Sequence, residues 1–542
     1  MHPQRWGDPA AAAPLPDGAR ALVEAVFGPA GGVEPLEGRL PEPALSPEAL
    51  AAFQAAVGAE HVRIEDDVRR LRTRGKSTPD LLKARAGDLA DAPDAVVRPA
   101  GHDEVVAVLE TAVAHHVAVV PFGGGTCVTG GLAARRDGYA GLVSLDLARL
   151  DRLVDVDPVS MTATLEPGLR GPEAEALLGE HGLTIGHFPQ SFEHASIGGF
   201  AATRSSGQAS AGYGRFDALV VGLTVATPTG TLELGSSPAN AAGPDLRQLV
   251  LGSEGVFGVI TSVTVRVRKA PTVKVYEGWR WPSFATGVAA VRAVAQSGLQ
   301  PTVLRLSDEA ESAVNLADPT AIAGTSGGGD GGCLMVVGFE GGADRVAERR
   351  SAVTELLTSL GGAPGGEEPG RAWEHGRFRA PYLRDSMLDL GLLVETLETA
   401  TFWSRVEDLY AAVKGALERE LVSDDDRPTL VLCHVSHVYE TGCSLYFTVA
   451  ARPGEEPLEQ WLRAKHAASE AIVAHGATIS HHHAVGTDHR PWLEAEIGSV
   501  GVRILRAVKA ELDPTGVLNP GVLIPEGVSP LVRGLTRSEG LA

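Results

Sequence analysis

Three glycine-rich turns, each joined to a strand-like run, constrain this chain more than any other feature. The first is "VVPFGGGTCVTGGL" (residues 119–132), where a β-branched run enters three consecutive glycines. Successive glycines let backbone N–H groups converge on one point and let a ligand approach with no Cβ in the way, as in a phosphate nest. Taken alone, the segment reads equally as a nest or as a plain turn. It is neither a G-K-[ST] phosphate loop nor a G-x-G-x-x-G fingerprint. The second is "FPQSFEHASIGGFAATRSSGQASAGYGRFDALV" (188–220) and the third "LGSEGVFGVIT" (251–261). Three such turns exceed what chain reversal needs, and one extended ligand carrying a pyrophosphate accounts for them together.

The 542 residues are too many for one ordinary core, so two or more domains are expected. Residues 1–45, rich in Ala, Pro and Gly, read as a partly ordered extension. "SPEALAAFQAAVG" (46–58) has a Ser cap, Pro at the first helical position and a closing Gly, which marks a short helix. From residue 94, "DAVVRPA", "HDEVVAVLETAVAHH" and "VAVVPFGGGT" form a β-α-β pattern. A strand-rich stretch follows, through "FGVITSVTVRVRKAP". Beyond Pro271, helix-like "FATGVAAVRAVAQSG" and "DRVAERRSAVTELLTSLGG" alternate with strand-like "CLMVVGFEG", "TLVLCHVSHVYE" and "SLYFTVAARP". The expected class is α+β. Its divisions are an N-terminal extension with helices (1–90), a first α+β domain (91–271), a second (272–490), and a C-terminal segment returning to the first (491–542). "GTSGGGDGG" (324–332) reads as a flexible loop.

The net charge of −21, with no long basic run, weighs against a nucleic-acid partner. The four cysteines, Cys127, Cys333, Cys433 and Cys443, are scattered and suggest neither disulfides nor a Cys-rich zinc site. The N-terminus lacks an apolar signal region, and no run of about 18 apolar residues spans a membrane. A cytoplasmic enzyme is expected. Peripheral membrane contact and a homodimer stay open, because net charge says nothing about local patches.

In their order along the chain, "PFGGGTCVTGGL", "GHFPQSFEHASIGGFAATRSSG", "GYGRFDALVVGLTVATPTG", "GSEGVFGVIT", "LRLSD", "SHHHAVG" and "LDPTGVLNPG" resemble the vanillyl-alcohol oxidase/p-cresol methylhydroxylase class of FAD proteins. Within that class they resemble the alkyl-dihydroxyacetonephosphate synthases of ether-lipid synthesis, over residues 90–525. The resemblance implies a two-subdomain PCMH-type FAD-binding domain plus an α+β cap domain with an antiparallel sheet. It implies that Pro121, Phe122, Gly123, Gly124, Gly125, Thr126 and Cys127 wrap the pyrophosphate of FAD. Pro189, Gln190, Ser191, Ala195, Gly198, Gly199, Ala202, Thr203, Arg204 and Ser205 would line the flavin and its linker, with His187 near the flavin. Glu254, Gly255, Gly258, Val259 and Ile260 would hold the adenine side. Doubly linked members of the class carry a His in the first loop and a Cys in the second. This chain has neither, so the FAD is expected to be non-covalent.

The triplet "SHHHAVG" (480–486) raises the question of a metal. Neighbours on a strand point to opposite faces, which disfavours one ion on three adjacent imidazoles. The similar FAD-linked 2-hydroxy-acid dehydrogenases hold a metal with a His-x6-His pair and a Glu-His. Here the paired positions read Tyr439 and Tyr446, and the Glu position reads His482. A phenol keeps its proton at neutral pH and ligates poorly, so no metal is expected.

A histidine triplet with a tyrosine is instead the synthase pattern. It implies an exchange of the acyl group of acyl-dihydroxyacetone phosphate for a fatty alcohol through a flavin N5 adduct, with no net redox change. Tyr446 would be the acid/base, oriented by His481, His482 and His483. Arg305, in the apolar run "TVLRLSD", must be paired or face a cavity, and the resemblance puts it near the flavin. "ETLETATFWSRV" (395–406) would line the cap side of the pocket. One departure stands out. The family's "CRVTQ" strand, whose arginine binds the substrate phosphate, reads "CHVSH" here, with His434 in that place. Histidine lacks arginine's permanent, bidentate clamp. Either Arg384 or His437 carries the phosphate, or the substrate is no phosphate ester; Tyr439 is a further substrate-side candidate. The alternatives are an FAD-dependent oxidase or dehydrogenase of a hydroxy acid or other hydroxylated small molecule, and a non-catalytic flavoprotein.

Overall fold

The computed structural model describes residues 1–8, 10, 15, 17–29, 31–133, 135–316, 332–422 and 427–525. The loop expected at 324–332 lies outside them, except for its last residue.

The first layer is a four-stranded sheet of β1 (Val62–Arg63), β2 (Ala95–Val97), β3 (Val117–Phe122) and β4 (Gly141–Asp146), in the order β1-β2-β4-β3. The last three strands are parallel and buried on both sides, so they read as nearly continuous apolar runs. The helix Pro47–Val57 packs against the helix His102–His115. Ser46 caps the first by accepting from the Ala49 N–H, and Phe53 and Val57 bury its inner face.

Next come β5 (Leu153–Asp157), β6 (Thr162–Leu165), β7 (Leu183–Thr184), β8 (Val220–Thr227), β9 (Gly230–Leu234), β10 (Val259–Arg266) and β11 (Arg268–Lys269). Five of these make an antiparallel sheet, β5-β6-β10-β8-β9, and β7 pairs with β11. The glycine-rich turns lead out of β3, lie ahead of β8 and lead into β10, at the ends of those strands.

The remaining strands are β12 (Val273–Trp281), β13 (Val303–Ser307), β14 (Cys333–Gly341), β15 (Ala363–Gly366), β16 (Leu393–Phe402), β17 (Leu430–Val435) and β18 (Gly442–Ala451). They form one antiparallel sheet, β15-β12-β14-β13-β17-β18-β16. Its two faces separate by the period of two that strands impose. Leu304 and Leu306, Cys433 and Val435, and Leu445 and Phe447 join a core with the helices Phe284–Gln296, Val406–Glu420 and Pro457–Ala474. The alternate residues Arg305, Ser307, His434, Tyr446 and Thr448 face a cavity. Arg305 sits mid-strand because its strand has one wet face.

Two segments tie the layers together. Asn519 follows a parallel bridge between Val119 and Leu518, and its side-chain amide donates to the carbonyls of Gly131 (3.0 Å) and Glu254 (2.7 Å). At the other end, the start of the 1–45 segment is tied to the second half of the chain. Arg5 donates to both oxygens of Asp389 (2.6 and 2.8 Å), the Trp6 N–H donates to Asp385 (2.5 Å), and Trp6 is buried. Among the described residues no helix is long and apolar enough to cross a membrane.

Candidate active site

A cavity of about 940 Å³ lies between the glycine turns and the open face of the cap sheet. That is near the upper end of small-molecule sites, roughly 300–1,000 Å³. Its floor is Pro121–Cys127, Pro189–Ser191, Ala195–Ser196, Gly198–Gly199, Ala202–Thr203, Ser205–Ser206, Glu254–Gly255 and Gly258–Ile260. The glycines are required by close approach: a Cβ on Gly124 would stand 2.0 Å from the His194 carbonyl oxygen, and Gly125 has φ +71°. Gln190 Nε2 and Gln208 Oε1, both on cavity-lining residues, are buried without hydrogen-bond partners. A glycine-walled cleft with unpartnered donors and acceptors fits a large polar cofactor such as FAD.

Several side chains expected at the cofactor stand elsewhere. Arg204 turns away from the cavity, its guanidinium donating to the carbonyls of Leu251 (2.8 Å) and Gln248 (2.9 Å). His187 lies behind the wall, packed on Phe200 and Phe216, and its Nε2 meets Ser205 Oγ at 3.0 Å. Burial, and then His482, pull the His187 pKa down to about 3. Glu254 lines the cavity, yet its carboxylate accepts from the N–H groups of Val485 (3.1 Å) and Gly486 (3.0 Å). It therefore pins the segment after the triplet to the glycine layer. The Cys127 thiol is 3.1 Å from the Gly131 N–H, and burial, then Glu254, push its pKa up to about 12. It packs as a filler.

The triplet is on a loop and not on a strand, so the strand-based objection to a metal does not apply. Thr478 bridges to Ala400 at the end of β16, and this carries Ser480–His483 across Glu398. The Glu398 carboxylate accepts from Ser480 Oγ (2.8 Å) and from the N–H groups of His481 (2.7 Å), His482 (3.1 Å) and His483 (3.0 Å). Burial opposes its charge, but the triplet segment that donates to it outweighs burial and holds its pKa well below the usual range.

His482 and His483 reach the cavity. His481 does not; its Nε2 is 2.5 Å from the Tyr439 hydroxyl. Tyr439 also lies behind the wall rather than at the substrate. Ring nitrogens of His437, His481 and His482 come within 4.8 Å of one another. They are already engaged: His437 Nδ1 with Ser206 (3.0 Å) and Ser210 (2.8 Å), and His481 with Tyr439 and with His482 Nδ1 (3.0 Å). Burial lowers the pKa of each of the three, so the cluster is a neutral network of hydrogen bonds.

Tyr446 faces the cavity from β18. Its ring stacks on His434 (centroids 4.8 Å apart) and stands edge-on to His483 (5.5 Å). Burial raises its pKa to about 12, with Thr396 working against that and Glu395 and Glu398 reinforcing it. Its resting form is a proton donor. Arg305 Nη2 and His434 Nδ1 each lie 2.9 Å from Glu311 Oε1. Burial and Arg305 lower the His434 pKa. Arg384 lines the cavity but donates Nη1 to the Lys76 carbonyl (2.6 Å). Neither Glu398 nor Glu311 was assigned a role from sequence. The available signal was acidic residues beside buried strands, which need partners to be tolerated.

The profile for FAD linked oxidases, C-terminal domain, matches residues 270–523, and the profile for an FAD binding domain matches residues 93–235. The alkyldihydroxyacetonephosphate synthase of Trypanosoma brucei brucei is 32% identical over 90% of this chain and 82% of its own length. A solved alkyldihydroxyacetonephosphate synthase superposes with a TM-score of 0.81 at 27% identity, covering 96% of this chain and 98% of that one. A substrate-bound p-cresol methylhydroxylase shares the fold, with a TM-score of 0.68 at 17% identity over 88% of this chain and 96% of that one.

Proposed function

The chain belongs to the alkyldihydroxyacetonephosphate synthase family of FAD-dependent enzymes, and on that premise we propose that its cavity exchanges the acyl group of an acyl-dihydroxyacetone phosphate for a fatty alcohol. The observation that carries this reading is Glu398. Its buried carboxylate gathers the backbone of the histidine triplet and sets His482 against it, with the two side chains 3.6 Å apart, beside a tyrosine that keeps its proton.

FAD, when bound along the glycine turns, supplies the nucleophilic centre on which the exchange turns. The protein supplies proton handling. His482, neutral at rest, takes the proton from the substrate carbon, and the imidazolium that forms is stabilised by Glu398. Tyr446 donates its proton to the departing carboxylate. The incoming alcohol returns a proton to Tyr446 as its oxygen bonds to carbon, and His482 gives the first proton back. The cycle closes with no net oxidation. His483 and His434 hold the Tyr446 ring from two sides. The same reading assigns the enzyme to cytoplasmic ether-lipid metabolism, meeting its lipid substrates at a membrane surface.

The test is anaerobic incubation of FAD-loaded protein with acyl-dihydroxyacetone phosphate and a labelled long-chain alcohol, with mass spectrometry of the product. Labelled alkyl ether is expected. No ether, together with reduction of an acceptor dye by a hydroxy acid, would move the assignment to an FAD-dependent dehydrogenase.

A further inference from the structure

β17 presents His434 to the cavity, and the arginines beside it are partly engaged. Arg305 and His434 share one oxygen of Glu311, each at 2.9 Å. Burial works to raise the Glu311 pKa, but His434 and Arg305 outweigh it and hold it at about 2. A phosphate brought to this end of the cavity would therefore face a charged carboxylate that already engages Arg305 Nη2 and His434 Nδ1. Arg384 is also partly spent, on the Lys76 carbonyl and on Asp385 at 3.5 Å.

Arg384 also has a buried Nε with no partner, but Asp385 stands beside it, and Arg377 differs from both arginines in lacking such a carboxylate. It lines the same cavity, and its Nε and Nη1 are buried with no hydrogen-bond partner. Among the described residues no carboxylate stands within ion-pair distance of it. Its guanidinium is fixed against the rings of Phe378 (4.9 Å), Phe188 (5.2 Å) and Trp373 (5.6 Å). Aromatic packing of this kind holds the planar group in place while leaving its edge free to donate. Gln208 Nε2 donates to the Arg377 carbonyl (3.0 Å) and fixes the backbone. The helix Ala380–Asp389 starts just beyond, with no side-chain cap, and Ala380 and Pro381 line the cavity. Its positive end adds to the pull on an anion.

Resting on the synthase reading above, we propose that Arg377, at the start of the helix Ala380–Asp389, receives the phosphate of the three-carbon substrate, in place of the β17 position. A guanidinium with two unpartnered nitrogens has donors left over for phosphate oxygens. Arg305, its charge offset by Glu311, and the His434 ring are left to meet uncharged oxygens of the same substrate.

The experiment is equilibrium titration of holoenzyme, followed by flavin fluorescence, with acyl-dihydroxyacetone phosphate and with its unphosphorylated analogue acyl-dihydroxyacetone. Wild type, Arg377→Met, Arg377→Lys and His434→Ala are compared, each checked for full FAD content. Arg377→Met is expected to weaken the phosphorylated ligand at least tenfold and leave the unphosphorylated one unchanged. Arg377→Lys should recover part of the loss, and His434→Ala should not discriminate between the ligands. The proposal is overturned if Arg377→Met weakens both ligands equally or neither. It is also overturned if wild type binds the phosphorylated ligand no more tightly than its analogue. The readout is independent of turnover. Discrimination by Arg377 without ether formation would overturn the synthase reading alone, and ether formation without discrimination would overturn this proposal alone.

Discussion

Glu398 on β16 and Tyr446 on β18 are register partners, directly opposite each other in the antiparallel pair. Opposed residues share a face of the sheet, so the carboxylate that organises the histidine loop and the phenol that faces the cavity project to the same side. Three residues of the triplet and one tyrosine, distant in sequence, are thereby held to a single strand register.

Tyr446→Phe keeps the ring that packs on His434 and removes only the proton. The turnover number for ether formation is expected to fall about 10²–10⁴-fold, the range of a lost acid/base group. FAD content and flavin absorbance should not change. Single-turnover chemical quench checks the rate, and a fall confined to KM would remove Tyr446 from the chemistry.

Glu398→Gln should reduce both activity and stability. Burial lowers the His482 pKa and Glu398 opposes that, so loss of the carboxylate lowers it further. The acid limb of kcat/KM is expected to move to lower pH while the maximum falls at least tenfold. Stability should drop on the order of 3 kcal/mol, because buried donors lose a charged acceptor. A pH–rate profile and a denaturant titration test the two effects separately.

Acid should unfold the protein before it protonates the buried histidines. His187 and His489 are each 2% exposed, and burial is the first cause holding both pKa values at about 3. Their folded values lie below the unfolded one, so their contribution is present above about pH 6.5 and is lost as pH falls toward 3. Each contributes up to about 1.4 kcal/mol per pH unit across that window. Thermal denaturation from pH 7 to pH 4 should show a steep fall, and a flat profile would refute it.

Gly124→Ala places a methyl 2.0 Å from the His194 carbonyl oxygen, a backbone atom that cannot step aside cheaply. FAD affinity is expected to fall at least a hundredfold while the cap domain stays folded. Flavin-to-protein ratio after gel filtration, read beside far-UV circular dichroism, decides it.

The flavin should separate from the chain on denaturation. Cys127, the cysteine of the first glycine turn, has its pKa raised to about 12 by burial and then by Glu254, and therefore stays an unreactive thiol. Trichloroacetic acid is expected to leave all yellow colour in the supernatant. Colour retained in the pellet would mean a covalent link.

The sequence by itself determined the glycine turns, the strand and helix alternation, and the type of chemistry. These depend on local patterns: φ > 0 tolerated at glycine, a period of two in strands, and the pKa range of histidine and tyrosine. The family resemblance singled out Tyr446 and His482, and both line the cavity. Only the tertiary structure decided which side chains reach the cavity. Arg204 and Tyr439 have the right chemistry at the right positions, yet their partners, Leu251 and His481, turn them aside. Glu311 pairs with Arg305 and meets His434 from a helix that follows β13, and Glu398 organises a loop more than eighty residues further along. Long-range pairing of buried charges follows from desolvation once the chain has folded, and no local pattern in the sequence records it.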